Sequence, residues 1–255
     1  MILGIIPARF GSSRLFGKPL SLIGDKPMIQ HTYESASKSR LLTKLVVAVD
    51  DDRVESVVYG FGGEAVMTPK DIQTGSDRIA YVADRFPEAE IIVNIQGDEP
   101  FIPSMMIDKA IEPLLFDPKI NISTLAKRIN TVSEMRSPAV VKIVFDQHNN
   151  ALYFSRAAIP HVRDAITFIE KVQNTEYYKH IGLYVFRKAE LQAFTQLPQS
   201  YLEQVEKLEQ LRLLENGYKI RVVVTDLDSL SVDTPEDLTN ARNFYKKIQK
   251  LKKKD

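Results

Sequence analysis

Cysteine is absent from the 255 residues. That removes disulfides, thiolate metal sites and cysteine nucleophiles together, and it fits a reducing compartment. Net charge is nearly absent too, since 34 Lys+Arg oppose 33 Asp+Glu. The sum conceals a split: residues 246–255 hold six lysines and one aspartate, a local +5, which leaves the rest of the chain at −4. A body of that sign does not grip nucleic acid through a bulk positive field. No apolar run approaches the length of a membrane span. The opening Met1-Ile-Leu-Gly-Ile-Ile is cut by Pro7 and Arg9 and has no basic stretch before it, so it is not read as a signal peptide. Repeats, low-complexity tracts and clear linkers are lacking as well. What remains is one integrated, soluble, cytoplasmic domain, long enough to bury a core without staples.

Short β-branched runs recur with amphipathic stretches between them. Ile2–Ile6, Lys44–Val49, Glu64–Met67 and Ile91–Ile95 read as buried parallel strands, because they are apolar nearly throughout. Pro27 suits the first turn of a helix running to about Ser39, Asp51 or Asp52 suits the cap of another, and Gly75–Arg85 supplies a third. Strand and helix in alternation predict a mostly parallel sheet with right-handed crossovers. The later residues are mixed. Helices are predicted over Pro103–Phe116 and over Leu202–Asn216, the latter closed by Gly217. Val140–Phe145 and Ala151–Ser155 read as a hairpin turning at Asn149-Asn150. Lys179–Arg187 and Tyr218–Thr225 read as strands, and Thr234-Pro-Glu-Asp237 opens a last helix.

Four segments carry candidate chemistry. After the first strand, Arg9, Arg14 and Lys18 are interleaved with Gly11, Ser12, Ser13 and Gly17. Loops at the carboxyl ends of parallel strands bind ligands, small residues let backbone N–H groups approach a polyanion, and cations neutralise it. The bland alternative is a solvated loop. A Walker phosphate loop is excluded, since Gly11 to Gly17 is one residue too long and Pro19 follows the lysine. After Ile91–Ile95 come Gln96, Asp98 and Glu99, where a carboxylate is placed to hold Mg²⁺; the alternative is a simple turn. Asp233 is either a second metal ligand or part of a helix cap with Thr234. Ser76 and Arg78 meet either a nucleoside or only the start of a helix. Arg156, His180, Tyr184, Glu209 and Gln210 are scattered and individually uninformative. The lysine tail reads as a solvated helix end, because no aromatic or lipidation signal accompanies it.

Taken in order, six motifs resemble the 3-deoxy-manno-octulosonate (KDO) cytidylyltransferases. They are Ile6-Pro-Ala-Arg-x-x-Ser-x-Arg-Leu-x-Gly-Lys-Pro-Leu20, Asn94-Ile-Gln-Gly-Asp-Glu-Pro100, Ala151-Leu-Tyr-Phe-Ser-Arg156, His180-Ile-Gly-Leu-Tyr184, Leu208-Glu-Gln-Leu-Arg212 and Val232-Asp-Thr-Pro-Glu-Asp-Leu238. The resemblance implies a Rossmann-like, GT-A-like α/β nucleotidyltransferase fold of three α/β/α layers, with a mostly parallel central sheet and a smaller antiparallel, dimer-forming element. It divides the single domain into a nucleotide-binding half (1–128), a hairpin element for sugar and dimer (129–187), a part completing the site (188–245) and the tail. The implied reaction joins CTP and KDO into CMP-KDO and pyrophosphate for lipopolysaccharide assembly. By motif, Arg9, Ser12, Arg14 and Lys18 would hold the triphosphate, with Ser76, Arg78 and Gln96 around the cytidine. Asp98 and Asp233 would hold Mg²⁺. Arg156, His180, Tyr184, Glu209 and Gln210, with Gln96, would line the sugar pocket, and the enzyme would be a homodimer.

Two residues depart from the resemblance. Phe16 stands where such proteins usually carry proline, and His161 where an aromatic residue is frequent. The sequence supplies no evident general base. A relative acting on sialic acid or on an amino-substituted KDO would share the loop and differ in the sugar pocket. A nucleotide-sensing protein without turnover would have no need of both Asp98 and Asp233 beside Lys18.

Overall fold

A computed structural model describes residues 1–11, 15–72, 74–165 and 167–252, the last by its backbone. The chain forms two compact units, Met1–Asp108 with Asp228–Asp255, and Lys109–Leu227. The first begins with β1 (Ile2–Ala8), a two-stranded ribbon of β2 (Leu22–Ile23) and β3 (Lys26–Pro27), α1 (Met28–Ala36), β4 (Lys44–Val49) and α2 (Asp52–Gly60). It continues with β5 (Ala65–Met67), α3 (Gly75–Ala83) and β6 (Ile91–Asn94). Strands β6, β1, β4 and β5 lie in that order and all run parallel, as the alternating pattern predicts. Leu3, Ile5, Ile6, Val46, Val47, Val49, Ile92 and Val93 are wholly buried, which is why these strands show no polar alternation. Each such side chain contributes roughly 1.5–3 kcal/mol on burial.

Helix starts follow the cap chemistry with one change. Asp51 caps α2 by accepting from Arg53 N. At α3 the capping side chain is Thr74, which accepts from Asp77 N at 3.0 Å, so Ser76 is not the cap. The chain closes with α10 (Pro235–Lys252), where Thr234 Oγ1 accepts from Asp237 N and Asp237 Oδ2 accepts from the N–H groups of Asp233 and Thr234. Leu238 and Ala241 of this helix pack with Ile23, Met28 and Val232, which ties residues 228–245 to the first unit. Lys246, Lys247 and Lys250 stay in water at the helix end, as expected for a solvated tail. Residues 253–255 lie outside the described ones.

Helix α4 (Ser104–Phe116) leads into the second unit. There β7 (Ile122–Arg128), α5 (Val132–Arg136), β8 (Lys142–Phe145), β9 (Ala151–Ser155), α6 (Phe168–Asn174) and β10 (Tyr178–Arg187) follow. The unit ends with α7 (Lys188–Gln196), α8 (Tyr201–Glu206), α9 (Leu211–Glu215) and β11 (Arg221–Val224). β7 is antiparallel to β10 and parallel to β11. The hairpin β8–β9 turns through Asn149, whose φ of 58° is the left-handed geometry expected there.

The single helix predicted over Leu202–Asn216 is two helices. α8 stops at Lys207, which is left-handed (φ 55°), and α9 begins at Leu211. The cause is a buried ion pair. Arg212 donates from Nε and Nη2 to the two carboxylate oxygens of Glu203, at 2.8 and 2.6 Å. On one continuous helix these residues would stand about 13.5 Å apart along the axis. The break folds α9 back so that the pair closes, and a polar pattern that looked like one helical surface hides it.

Candidate active site

In the first unit the carboxyl ends of β1 and β6 border a cleft of about 320 Å³, lined by Arg9, Gly11, Lys18, Gly75, Gln96 and Asp98 among others. Two glycines make its walls possible. A Cβ on Gly97 would stand 2.5 Å from the Pro7 carbonyl oxygen, so only glycine lets the turn after β6 lie against the end of β1. Gly17 has a φ of 66° and donates from N to the Phe10 carbonyl at 3.2 Å. That bond brings Arg9 and Lys18 to one cleft. Ser12 and Arg14, read as triphosphate ligands, lie outside the described residues.

Lys18 sits between two carboxylates. Its Nζ donates to Asp98 Oδ2 at 2.7 Å and to Asp233 Oδ1 at 2.9 Å. The side chain that caps α10 is Thr234, while Asp233 meets Lys18, so two acids remote in sequence converge on one positive charge. A backbone bond from Val232 N to the Asp98 carbonyl holds the two segments together at 2.9 Å. Two hard carboxylate oxygens within reach of one cation suit Mg²⁺, which takes few protein oxygens and completes its shell with water and substrate phosphate. Among the described residues no group of three or more acidic, histidine or cysteine side chains forms a closed metal cage.

Sequence reasoning overlooked Asp50, which follows β4. Its Oδ1 accepts from Phe10 N at 2.9 Å, and its Oδ2 lies 3.8 Å from Arg9 Nε and 3.5 Å from Arg78 Nη2. The one signal was its place at the carboxyl end of a buried strand. Arg78, read as a nucleoside ligand, has its side chain wholly buried. It donates to Thr68 Oγ1 and, at 3.1 Å, to the Ile72 carbonyl, so it shapes the wall next to the cleft rather than the lining. Ser76 is buried in the first turn of α3, beside the cleft-lining Gly75. Glu99, which the sequence delivers to this turn beside Asp98, is buried and does not line the cleft. Burial, reinforced by the neighbouring Asp98 charge, pushes its carboxyl up to about 7.

The second unit gathers some of the scattered residues. Ile181 pairs with Leu125, yet Tyr184 pairs with Thr124, so Gly182 and Leu183 form a bulge in β10. Four residues of regular strand would separate His180 and Tyr184 by about 13 Å. The bulge instead sets their rings 5.2 Å apart. Thr124 Oγ1 lies 2.8 Å from the Leu183 carbonyl, to which it donates, and within hydrogen-bond distance of His180 Nε2 at 2.9 Å. Burial and the charge of Glu209 hold the Tyr184 hydroxyl well above its ordinary value, so it remains a donor. Gln210 is buried at the start of α9. Arg156 does something different. Its Nε and Nη1 donate at 2.9 Å to the carbonyls of Glu206 and Pro138, bracing the break between α8 and α9.

Desolvation pushes His180 down to about 3, so the ring is neutral at physiological pH. Its folded value lies below the unfolded value of about 6.5, so the unfolded chain binds the extra proton. Stability is thus lost as pH falls below about 6.5, at up to about 1.4 kcal/mol per pH unit. Between pH 6.5 and 5 the wild type is expected to lose about 1–2 kcal/mol more than His180→Gln in urea unfolding. Equal losses would show that the ring is not buried as neutral imidazole.

A parallel sheet whose first turn presents cations, and whose neighbouring turn presents Asp98 opposite the remote Asp233, is the arrangement of a nucleotidyltransferase of Rossmann-like fold. Comparison with known proteins narrows the class. Residues 3–220 match the Cytidylyltransferase family. The chain is 52% identical over 239 residues to the 3-deoxy-manno-octulosonate cytidylyltransferase of Syntrophotalea carbinolica, covering 93% of this chain and 95% of that one. It is 49% identical over 255 residues to the protein of the same name from Geobacter sulfurreducens, with 98% and 99% covered. The solved structure of CMP:2-keto-3-deoxy-manno-octonic acid synthetase complexed with CTP superposes with a TM-score of 0.90 at 41% identity, covering 96% of this chain and 98% of that one. The chain belongs to the 3-deoxy-manno-octulosonate cytidylyltransferase family. The 4-diphosphocytidyl-2C-methyl-D-erythritol synthase of Anaerococcus prevotii shares only the fold, with a TM-score of 0.62 at 15% identity, covering 96% of this chain and 98% of that one.

Proposed function

We propose that this protein transfers CMP from CTP to the anomeric hydroxyl of KDO, releasing pyrophosphate, in the cytoplasm and in service of lipopolysaccharide synthesis. The observation that carries it is the convergence of Asp98 and Asp233 on Lys18 at the edge of a cationic cleft, together with relatives of that name over nearly the whole chain. The hydroxyl oxygen forms a bond to the α-phosphorus while the bond to the β-phosphate bridging oxygen breaks. The hydroxyl proton passes to solvent, and pyrophosphate leaves.

Negative charge grows on phosphate oxygens during this displacement, so positioning and electrostatics are the work required. Arg9 and Lys18 would meet the triphosphate, with Ser12 and Arg14 assigned by motif. Gln96 lines the same cleft and would contact the nucleoside. Asp98 and Asp233 would hold Mg²⁺, which when bound supplies Lewis-acid neutralisation of the phosphate charge. In the second unit, Tyr184 as a donor, neutral His180, Glu209 and Gln210 would recognise the polar sugar acid. His180 is too weakly basic to take a proton near neutral pH, which agrees with a reaction that relies on positioning. A homodimer is part of the proposal, supported by the exposed apolar Leu152, Tyr201 and Val205 of the second unit.

Purified protein with Mg²⁺, CTP and KDO is expected to release pyrophosphate, to stop on addition of EDTA, and to scatter light as twice the chain mass. Turnover only with sialic acid or an amino-substituted KDO would replace the substrate. No turnover with any sugar acid would leave a nucleotide-binding protein.

A further inference from the structure

Glu99 is buried, carries a titratable group, and has no part in the chemistry above. Its backbone lies in the turn that presents Asp98, with Glu99 N donating to the Gln96 carbonyl and Ile102 N to the Glu99 carbonyl, each at 3.2 Å. Its side chain points to the other acid-bearing segment, where Ser229 Oγ donates to Glu99 Oε2 at 3.0 Å. That bond and the one from Val232 N to the Asp98 carbonyl at 2.9 Å are two rungs between the same pair of segments. Leu230, between the rungs, and Val232 itself pack into the apolar core. Asp233 follows directly, so the rungs fix where its carboxylate stands relative to that of Asp98.

We infer that Glu99 is a positioning residue, whose bond to Ser229 sets the separation of the Asp98 and Asp233 carboxylates for a divalent cation. The inference rests on the proposal that these two acids hold that cation. A buried carboxyl is a costly way to fill space, since its desolvation must be offset by a partner. Here the partner is one hydroxyl on the segment whose placement matters. Shifts of about 1 Å at a ligand set of this kind are enough to cost orders of magnitude in function.

The test uses Mn²⁺ alone as the probe, followed by water-proton relaxation, on the full chain and on Ser229→Ala, Glu99→Gln and Asp98→Asn. Ser229→Ala leaves the buried Glu99 carboxyl without its hydroxyl partner, so its melting temperature is expected to fall by a few degrees, and binding is read well below that temperature. Ser229→Ala should weaken Mn²⁺ binding about tenfold, the equivalent of one hydrogen bond. It should raise the Mg²⁺ needed for half-maximal turnover by a similar factor, while kcat at saturating Mg²⁺ stays within about threefold. Glu99→Gln retains an acceptor for Ser229 Oγ and should bind Mn²⁺ within about threefold of wild type. Wild-type affinity in Ser229→Ala, with Asp98→Asn impaired, would overturn the positioning role alone. Glu99→Gln as weak as Ser229→Ala would also overturn it, since charge rather than the bond would then matter. Wild-type affinity in Asp98→Asn would overturn the metal assignment beneath it.

Discussion

Replacing Asp98 with asparagine is expected to lower the rate of CMP transfer by about 10³-fold or more, an effect of roughly 4 kcal/mol on the barrier. The substitution keeps shape and leaves an oxygen that still accepts from Lys18 Nζ, now 2.7 Å from the carboxylate. What it removes is one of the two negative charges available to a divalent cation. The Asp98 side chain is about a quarter exposed, at 26%, so its pairing with Lys18 contributes little to folding, about 0–1 kcal/mol. A calorimetric melt should therefore stay within a few degrees of wild type. Because Arg9, Lys18 and Gln96 remain, KM for CTP should change much less than kcat. Pyrophosphate release at saturating Mg²⁺, CTP and KDO measures the split. Activity within tenfold of wild type would take Asp98 out of the metal site.

Removing the ammonium of Lys18 should act in two opposite directions. Lys18 holds both carboxylates at once, 2.7 and 2.9 Å away, and the same charge is proposed to meet the triphosphate. It cannot do both, so a cation held by Asp98 and Asp233 would compete with Lys18 for them. Lys18→Met keeps the apolar stem and loses the charge. Turnover is expected to fall by about 10²- to 10³-fold and KM for CTP to rise, since a charge facing the developing phosphate charge is gone. Without nucleotide, however, Mn²⁺ should bind about tenfold more tightly than to wild type, because two close carboxylates lose their resident competitor. In EDTA the variant should melt lower than wild type, and added Mg²⁺ should recover more of that loss than it gains for wild type. Mn²⁺ binding no tighter than wild type would show that lysine and cation do not share the site.

Much of the first unit was legible in the sequence. Runs such as Lys44–Val49 are apolar throughout because both faces of a parallel strand are covered, and caps such as Asp51 and Thr234 announce themselves by local chemistry. The cationic turn after β1 and the acid turn after β6 were found for the same reason: they follow strands whose ends a parallel sheet places side by side. The second unit was less legible. β7 escaped notice because Ser123, Thr124 and Lys127 interrupt its apolar run, although Ser123 and Thr124 are wholly buried. The bulge in β10 that joins His180 to Tyr184 leaves no trace but Gly182 in a run of strand formers. The break at Lys207 follows from Arg212 reaching Glu203, a nine-residue relation to which helical periodicity is blind.

The amino-acid sequence by itself determined the parallel α/β framework, the cationic loop and the acids available to it, because strand burial, helix caps and turn chemistry are set by residues a few positions apart. Only the tertiary structure decided which of those residues act together. It put Lys18 between Asp98 and Asp233, turned Arg78 inward to Thr68 and Asp50, and closed Glu99 onto Ser229. These are contacts between segments far apart in the chain, where the geometry of strand ends, a bulge and a glycine approach sets distances that no local pattern encodes.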